Sequence, residues 1–424
     1  MPLPGPRPIT DPVDDAVAAQ YEAYPYPARD ARDEARRLVV GSPSFLAEID
    51  HWVFGARRDP ALPLTVLVAG GGTGDGLVML AEQLEWAGRP GHLTYLDRSA
   101  AAMAIAKRGF EARGLAHRVT FLRGAPSDLP ALAPGPFDYI DCCGVLHHLP
   151  EPEAGLAALE AVLAPGGGMG LMVYAPHGRT GVYMVQEALA PLAAASDPLP
   201  ARVEAARRLV RTLPATHWLA RNRLITDHLD GGDAGLVDLL LRGRDRPYTV
   251  PAFRSLLAAV GLVPTVLVEP VRYDPLTWLT DPRLRERAAA LPQAEREALA
   301  EALSGTMATH IAYLRRAAEP WTPPDPEDAT LIPVLRDLDG PAFAASLSPG
   351  QRIALDLDGV RAQIASPPLG PAILARIDGR ASLGAVLEPV AAKAGAERAW
   401  RDWRALSAGL NAANKLLLAV PPGG

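Results

Sequence analysis

An apolar strand that ends in a cluster of glycines is the feature of this sequence that most constrains its fold. Residues 66–69 are apolar, and glycines occupy most of residues 70–76. A continuous apolar run is typical of a buried parallel strand. Glycines directly after it let the backbone turn sharply and lie close to a ligand at the start of the next helix. The run therefore predicts an α/β sheet with a nucleoside-type cofactor site.

The spacing of these glycines argues against two familiar phosphate-binding loops. A dinucleotide fingerprint needs glycines at positions i, i+2 and i+5, but Gly70 and Gly72 are followed by Asp75. A P-loop needs a Lys-Ser or Lys-Thr pair after its last glycine, and this loop has neither. The pattern that remains is a glycine at every second position, at Gly70, Gly72 and Gly74. Ordinary glycines of a strand-to-helix turn are the alternative interpretation.

A second short strand, residues 93–97, ends in a carboxylate one helix length after the glycines. Asp97 can accept hydrogen bonds from both hydroxyls of a ribose, by the logic that places an acid after the first βαβ unit of dinucleotide-binding folds. We therefore expect Asp97 to bind a ribose. Its alternative role is the N-cap of the following helix, a position that aspartate favours.

Two later motifs complete a pattern that resembles the class I S-adenosylmethionine-dependent methyltransferases. Residues 137–150 read FDYIDCCGVLHHLP, and residues 163–168 read LAPGGG before an apolar strand at residues 169–174. In that family a G-x-G-x-G loop binds the cofactor, a segment that begins F-D and ends L-H-H-L-P lines its methionine end, and an L-x-P-G-G turn leads into the fifth strand. The resemblance implies S-adenosyl-L-methionine as the cofactor, with Cys143 among the lining residues.

The sequence departs from this family pattern at two acids. Many members carry an acid in the first strand that helps to hold the methionine ammonium, and this chain has Val68 there. Asp75 or a backbone carbonyl is expected to supply the contact instead. Many members also carry an acid after the third strand that binds the adenine amine, where this chain has Ala125; Ser127 or Asp128 is the expected substitute.

Composition and charge narrow the class of protein further. A chain of 424 residues with 49% hydrophobic and 21% charged residues is long enough for two or three domains with a sizeable core. The formal net charge of -6 argues against electrostatic attraction of the whole chain to nucleic acid. No stretch has the pattern of a signal peptide or of a membrane helix. We expect a cytoplasmic protein without a membrane partner.

The cysteines are two neighbours, Cys142 and Cys143, so a disulfide scaffold is excluded and a reducing compartment is expected. Unpaired cysteines behave as small apolar residues, and we expect this pair to fill the sheet core. No cluster of His, Cys and carboxylates has metal-ligand spacing, so no metal is predicted.

The fold class is predicted to be α/β, a doubly wound Rossmann-like methyltransferase sheet with helical insertions and an accessory α+β domain. Residues 1–60 form an N-terminal arm and cap, in which a Y-x-x-x-P-Y-P segment either folds over the cofactor cleft or only packs on the core. Residues 61–319 form the methyltransferase domain, whose insertions are predicted at about 181–243 and 275–304.

Residues 330–424 are predicted to be a separate module that follows a proline-rich linker at residues 320–328. Residues 353–364 alternate around an Asp-Gly pair, a strong hairpin signal. Helices near residues 370–377, 382–393 and 397–413 and a short strand at residues 416–420 follow. The pattern resembles winged-helix modules and, more loosely, peptide-binding modules attached to peptide-modifying enzymes.

Three residues are candidates for catalysis. His147 and His148 belong to the L-H-H-L-P segment, where family members place them at the mouth of the cleft; either a general-base role or a packing role fits them. Tyr174 ends the fifth strand, at the sheet edge where this fold meets its substrates. Packing is the alternative role for Tyr174 as well.

The sequence thus predicts an S-adenosylmethionine-dependent methyltransferase whose acceptor is a protein or peptide, in preference to a small molecule. The extra C-terminal module is the reason for this preference. RNA is a third option. A regulatory protein that binds the cofactor without turnover is the alternative from a different class, because the two family acids are replaced at Val68 and Ala125.

Overall fold

The computed structural model of the chain describes residues 20, 22–30, 33, 36–133, 135–357 and 360–421. The strands of its central sheet are, in chain order, β1 (Leu64–Ala69), β2 (Gly91–Asp97), β3 (Val119–Arg123), β4 (Phe137–Cys143), β5 (Leu163–Tyr174), β6 (Leu262–Leu267) and β7 (Thr309–Arg316). Their spatial order is β3-β2-β1-β4-β5-β7-β6, and β7 is antiparallel to both of its neighbours while the other pairs are parallel. This is the predicted doubly wound sheet, and the last strand of the chain to join it runs antiparallel.

Helices cover both faces of the sheet. Between residues 46 and 304 they are α1 (Leu46–Glu48), which continues as a π-helical turn (Ile49–Val53), α2 (Asp75–Trp86), α3 (Ala100–Ala112), α4 (Leu129–Leu132), α5 (Pro152–Ala161), α6 (Val182–Leu189), α7 (Leu199–Thr212), α8 (Trp218–Arg221), α9 (Asp227–Asp230), α10 (Gly232–Leu240), α11 (Val250–Ala259), α12 (Pro282–Ala289) and α13 (Gln293–Ser304). Short 3₁₀ turns lie at Ala116–Arg118, Pro126–Asp128, Leu146–His148, Pro270–Tyr273 and Pro275–Thr277. None of the helices in the described part of the chain is long and apolar enough to span a membrane.

The sheet is buried on both sides, which explains its near-continuous apolar strands. Alternate residues of β1 enter different apolar clusters: Leu67 and Ala69 pack on one face, and Val66 and Val68 on the other. Successive side chains of a strand point to opposite faces, so one strand contributes to both halves of the core.

The fifth strand is longer than the sequence indicates. The segment predicted as a turn, residues 163–168, belongs to β5, and the register opposite β4 shifts between Phe137 and Tyr139. Gly166 has a φ of +73° in this segment, so the glycines allow a bulge inside the strand and do not end it.

Both predicted insertions are helical. Helices α6 to α10 occupy the first, and side chains such as Val185 and Leu236 give it an apolar cluster of its own. Helices α12 and α13 occupy the second.

The C-terminal module consists of β8 (Ile332–Leu335), α14 (Gly340–Ala345), β9 (Ile353–Leu357), β10 (Val360–Ile364), α15 (Gly370–Leu374), α16 (Leu383–Ala394), α17 (Ala396–Ala412) and β11 (Leu416–Ala419). Strands β9 and β10 form the predicted antiparallel hairpin, although its Asp-Gly turn lies outside the described residues. Strand β8 pairs with β11, which joins the two ends of the module. Fully buried Trp403 lies in an apolar cluster built mainly from this module.

The module packs against the segment around α1. Glu48 forms a buried ion pair with Arg336, and the indole N–H of Trp52 donates to the side-chain oxygen of Asn414 at 3.0 Å. The backbone N–H of Leu418 donates to Nδ1 of His51 at 2.8 Å. The module is therefore held to the methyltransferase part by buried polar contacts.

The stretch predicted as a linker, residues 320–328, is packed between the two parts. The indole N–H of Trp321 donates to the carbonyl of Val53 at 3.1 Å, and that of Trp403 donates to the carbonyl of Pro326 at 2.6 Å. The prolines of this stretch predicted a linker, whereas the structure has a stretch that contacts both the methyltransferase part and the C-terminal module. The N-terminal tail at residues 1–12 lies outside the described residues.

Candidate functional site

A cavity of about 390 Å³ opens at the carboxyl ends of the parallel strands. Its wall takes residues from the ends of β2, β1, β4 and β5, which neighbour one another in that order. Strand order reverses between β1 and β4, and ligands of doubly wound sheets bind at such a point. The four strand ends span about 14 Å, because neighbouring strands lie about 4.8 Å apart. The cavity is therefore wide enough for an extended small-molecule cofactor.

The loop between β1 and α2 lines this cavity with glycines in the left-handed region. The φ angle is +76° at Gly70, +52° at Gly72 and +102° at Gly74. A Cβ atom at Gly70 would lie 2.1 Å from a methyl carbon of Val145, and one at Gly74 would lie 2.9 Å from a side chain of α3. A Cβ atom at Gly72 would meet only a carbonyl oxygen at 3.6 Å. Packing thus requires Gly70 and Gly74, whereas Gly72 leaves space open in the cavity wall.

Asp97 ends β2 and lies in the cavity wall. Its two carboxyl oxygens accept hydrogen bonds from the backbone N–H groups of Gly72 and Ser99, both at 2.8 Å. The N-cap of α3 is Ser99, whose hydroxyl accepts from the N–H of Ala102, so Asp97 is not the cap. Burial raises the pKa of Asp97, and the backbone hydrogen bonds oppose that rise. Asp97 ties the glycine loop to β2 and presents a carboxylate to the cavity.

An N-terminal segment covers the glycine loop. Tyr26 and Pro27 line the cavity, and the carbonyl of Pro27 accepts a hydrogen bond from the hydroxyl of Thr73 at 3.0 Å. Arg29 donates to both carboxyl oxygens of Asp75, at 2.7 and 2.5 Å. The described residues of this segment thus contact the glycine loop at the cavity, and a role as cover over a bound cofactor stays a prediction. The contact expected between Asp75 and a cofactor ammonium competes with Arg29.

The same segment also reaches the first insertion. The hydroxyl of Tyr26 donates to a carboxyl oxygen of Asp227 in α9 at 2.5 Å. Burial and this hydrogen bond to a carboxylate raise the pKa of Tyr26, so the phenol keeps its proton at neutral pH. The arm and the insertion thus meet above the cavity.

The residues expected to contact an adenine amine are placed outside the cavity wall. Ser127 and Asp128 are exposed, and the carboxylate of Asp128 accepts from the N–H of Ala125 at 2.8 Å, capping a 3₁₀ turn. Gly124 and Pro126 are the residues of this segment that line the cavity. A contact from the Ser127 or Asp128 side chain stays a prediction.

The strand geometry of β4 separates the two cysteines. Cys142 is buried in the apolar core, whereas Cys143 is exposed and lines the cavity. The expectation that both fill the core is therefore wrong for Cys143, because neighbours along a strand point to opposite faces.

The two histidines after β4 are buried, not at the mouth of a cleft. His148 lines the cavity, and its Nδ1–H donates to the carbonyl of Arg244 at 2.8 Å. Its Nε2 atom has no hydrogen-bond partner among the described residues. Burial, reinforced by the charge of Arg242, lowers the pKa of His148 well below its usual value. The ring is therefore neutral at pH 7, with a lone pair on Nε2.

His147 lies outside the described cavity wall. It is fully buried, and its ring centroid lies 4.0 Å from that of Tyr174. Burial lowers the pKa of His147 well below its usual value as well. The two rings are inclined by 32°, so His147 packs behind Tyr174, and a catalytic role for His147 stays a prediction.

Tyr174 lies at the β5 end of the cavity among polar side chains. Its hydroxyl donates to the carboxylate of Asp238 at 3.4 Å, and Asp238 forms a buried ion pair with Arg242. The guanidinium carbon of Arg179 lies 3.7 Å from the centroid of the Tyr174 ring. This end therefore combines a phenol, a neutral imidazole and an ion pair. Within the described residues, no group of three or more His, Cys, Asp or Glu side chains is arranged to hold a metal ion.

Sequence analysis missed two buried carboxylates in the cavity wall, and one of them is Asp238, described above with Tyr174. The second is Asp141. It lies in β4, pairs in register with Val68 of β1 and is 2% exposed. Its carboxylate accepts a hydrogen bond from the hydroxyl of Ser44. The signal that could have found it is an acid inside the otherwise apolar run YIDCC, where a strand residue has no solvent to face.

Comparisons with known proteins bear on this site. A protein-family model described as a methyltransferase domain matches residues 67–169 of the sequence, which include the ends of β1, β2 and β4. The chain is 30% identical over 320 residues to the uncharacterized protein syc1184_c of Synechococcus, and this match covers 74% of each protein. It is 36% identical over 116 residues to the tRNA 5-carboxymethoxyuridine methyltransferase of Escherichia coli, which covers 27% of this chain and 42% of that enzyme.

A solved structure extends the likeness beyond the cavity. PKMT2 from Rickettsia typhi, in complex with AdoHcy, matches with a TM-score of 0.62 over 89% of this chain and 76% of that chain, at 15% sequence identity. At this identity the likeness shows the fold alone. The methyltransferase-domain match, in contrast, falls on the strands and the glycine loop that build the cavity. The chain therefore belongs to the class I S-adenosylmethionine-dependent methyltransferases, in one family with the Synechococcus protein.

Proposed function

We propose that the chain transfers a methyl group from S-adenosylmethionine to a protein or peptide acceptor. The observation that carries the acceptor class is the position of the C-terminal module. Among the described residues, Arg242 is the last residue along the sequence that lines the cavity, so no residue of the module lines it. A module with its own core that does not build the cofactor site is available to recruit a macromolecule.

Two features of the cavity wall support its assignment as the cofactor site. The open space at Gly72 lets the backbone approach a ligand closely, and the carboxylate of Asp97 can accept hydrogen bonds from ribose hydroxyls. Cys143 lines the cavity two strands away on β4, where we place the methionine part of the cofactor. We infer that Gly70, Gly72, Gly74 and Asp97 hold the adenosine part.

The protein has little covalent chemistry to perform in this reaction. S-adenosylmethionine supplies a methyl group on a sulfonium, which is already activated for direct displacement by a nucleophile. The residues of this chain then have to orient the acceptor and exclude water. Tyr26 and Pro27 serve the second task, because they cover the glycine loop from the solvent side.

His148 is our candidate for accepting the proton that the acceptor loses. Its Nδ1–H is engaged by a backbone carbonyl, so Nε2 is the basic atom of the ring, and Nε2 is buried without a partner among the described residues. A neutral imidazole at this place suits an acceptor nitrogen or oxygen that carries a proton. Tyr174 and Asp238 are candidates for positioning that acceptor atom.

A labelling experiment tests the proposal. The full chain is incubated with S-adenosylmethionine labelled in its methyl group and with a cell extract separated into protein, RNA and small molecules. We expect label in the protein fraction. Label only in small molecules or only in RNA would contradict a protein acceptor and identify that other class as the acceptor. The RNA fraction is included because part of the chain is similar to a tRNA methyltransferase.

A further inference from the structure

The carboxylate of Asp141 is buried in the wall of the cofactor cavity with no cation beside it. Its polar contact is the hydroxyl of Ser44, and among the described residues no lysine, arginine or histidine forms an ion pair with it. A carboxylate this deeply buried is costly unless it is paired or performs a function. Other buried acids of this chain have such a partner; Glu48, for example, pairs with Arg336.

Asp141 lies beside the position where related enzymes carry an acid. Val68 and Asp141 are register partners on adjacent strands, so their side chains point to the same face of the sheet, and both line the cavity. One carboxyl oxygen lies 3.5 Å from the place where a Cβ atom of Gly76 would be, close to the first turn of α2. The carboxylate has thus moved by one strand, about 4.8 Å, within the same cavity wall.

The strand order also fixes which part of the cofactor Asp141 would meet. Asp97 ends β2, and β1 separates β2 from β4. If Asp97 binds the ribose, a group on β4 lies about 10 Å further along the cavity. In S-adenosylmethionine the methionine part, which ends in an ammonium and a carboxylate, extends from the 5′ carbon of that ribose.

We propose that Asp141 binds the ammonium group of the methionine part of S-adenosylmethionine, and that it replaces the acid missing at Val68. The inference rests on the cofactor site described above. A cationic ligand would give the buried carboxylate the partner that the protein itself does not provide. Burial raises the pKa of Asp141 to about 6, which agrees with a carboxylate that lacks a cation in the free protein.

A comparison of two ligands distinguishes binding of the ammonium by Asp141 from a general effect of a substitution on the cavity. S-adenosylhomocysteine keeps the ammonium, whereas 5′-methylthioadenosine has the same adenosine and sulfur but lacks the amino-acid part. Asp141→Asn removes the charge and keeps an oxygen that can accept from Ser44. We expect calorimetry to show at least tenfold weaker binding of S-adenosylhomocysteine to Asp141→Asn, with little change for 5′-methylthioadenosine.

Asp138→Asn is the matched control, because it removes a carboxylate from the same strand, β4, at a position outside the cavity wall. It should bind both ligands nearly as the parent does. Thermal unfolding without ligand gives a second readout: Asp141→Asn should melt at or above the temperature of the parent, since it removes an unpaired buried charge.

Equal affinity of parent and Asp141→Asn for S-adenosylhomocysteine would overturn the inference. So would an equal loss for both ligands together with a lower melting temperature, which would show that Asp141 only supports the structure. If the parent binds neither ligand, the cofactor site itself fails, and that outcome is distinct from the first two.

Discussion

One of the two acids that this chain lacks relative to the family pattern has a buried carboxylate beside its position. Val68 occupies the β1 position of the usual acid, and Asp141 presents a carboxylate from the adjacent position of β4. The pairing of two strands is a long-range contact, so the neighbourhood of these residues could not be seen along the chain. At the residue scale, burial changes the pKa values of the groups that line the site: it raises those of Asp97 and Asp141 and lowers that of His148.

A change in pH should reveal the charge of Asp141. Because its pKa is raised to about 6, the carboxylate is ionised above pH 6 and gains a proton below it. Attraction for an ammonium is therefore present at pH 7.5 and is lost as the pH falls through 6. We expect calorimetry to show roughly tenfold weaker binding of S-adenosylhomocysteine at about pH 5 than at about pH 7.

The Asp141→Asn variant supplies the comparison for this pH dependence. Burial raises the pKa of Asp97 and Glu48 as well, and both acids remain in the variant. The other titratable groups that interact with Asp141 have pKa values raised away from this range; they are Tyr139, Cys142, Cys143 and Tyr313. An identical slope in parent and variant would show that Asp141 does not cause it.

Replacing His148 should slow turnover without weakening cofactor binding. In His148→Asn the side-chain amide can keep the hydrogen bond to the carbonyl of Arg244, while the basic Nε2 atom is lost. We expect the turnover number to fall about a hundredfold, the lower range for a general base. The affinity for S-adenosylhomocysteine should stay level. A parallel loss of both quantities would leave His148 with a packing role.

At the scale of elements, the cofactor cavity is a sheet edge closed by segments from elsewhere in the chain. The glycine loop and Asp97 could be predicted, because each directly follows an apolar strand. The covering segment could be predicted only as one of two alternatives, since its contacts with Thr73, Asp75 and Asp227 join residues far apart in sequence. Ser127 and Asp128 show the opposite case, in which the turn that follows β3 points the side chains outward.

The contact between the arm and the first insertion should control how fast the ligand leaves. Tyr26→Phe removes a hydrogen bond to a carboxylate, which contributes on the order of 1.5 kcal/mol, so we expect roughly tenfold faster dissociation of S-adenosylhomocysteine in stopped-flow experiments. Tyr24→Phe is the control, because the Tyr24 hydroxyl has no hydrogen-bond partner among the described residues. Equal dissociation rates in the two variants would argue against a covering role.

At the scale of the whole molecule, the C-terminal module is more closely joined to the rest than its sequence indicates. The sequence patterns predicted the hairpin, the last three helices and the final strand of the module, but not β8 or α14. They could not predict that Arg336, Asn414 and Leu418 contact the segment around α1 nearly 300 residues or more away in sequence. The separate domain stays a prediction, and these contacts favour unfolding of the two parts together.

Removing the buried cation at this junction should lower the stability of the whole chain. Arg336→Met leaves Glu48, which is fully buried, without its ion-pair partner, at a cost of about 3 kcal/mol or more. Calorimetry should show one unfolding transition at a lower temperature. Arg404→Met, in the same module, breaks an exposed pair with Glu327 of the stretch at residues 320–328 and should change the midpoint little. Two separate transitions, with only one of them shifted, would contradict this coupling.

The most direct test of the cofactor site is calorimetric titration of S-adenosylhomocysteine into the full chain and two glycine variants. Gly72 and Gly88 both have positive φ angles, +52° and +59°, and neither is tightly packed, but Gly72 alone of the two lines the cavity. Valine at either position strains the backbone, so Gly88→Val controls for strain. We predict that the parent and Gly88→Val bind the ligand and that Gly72→Val, still folded, does not. A parent that fails to bind, or a Gly72→Val variant that binds as tightly as the parent, would contradict the proposed site.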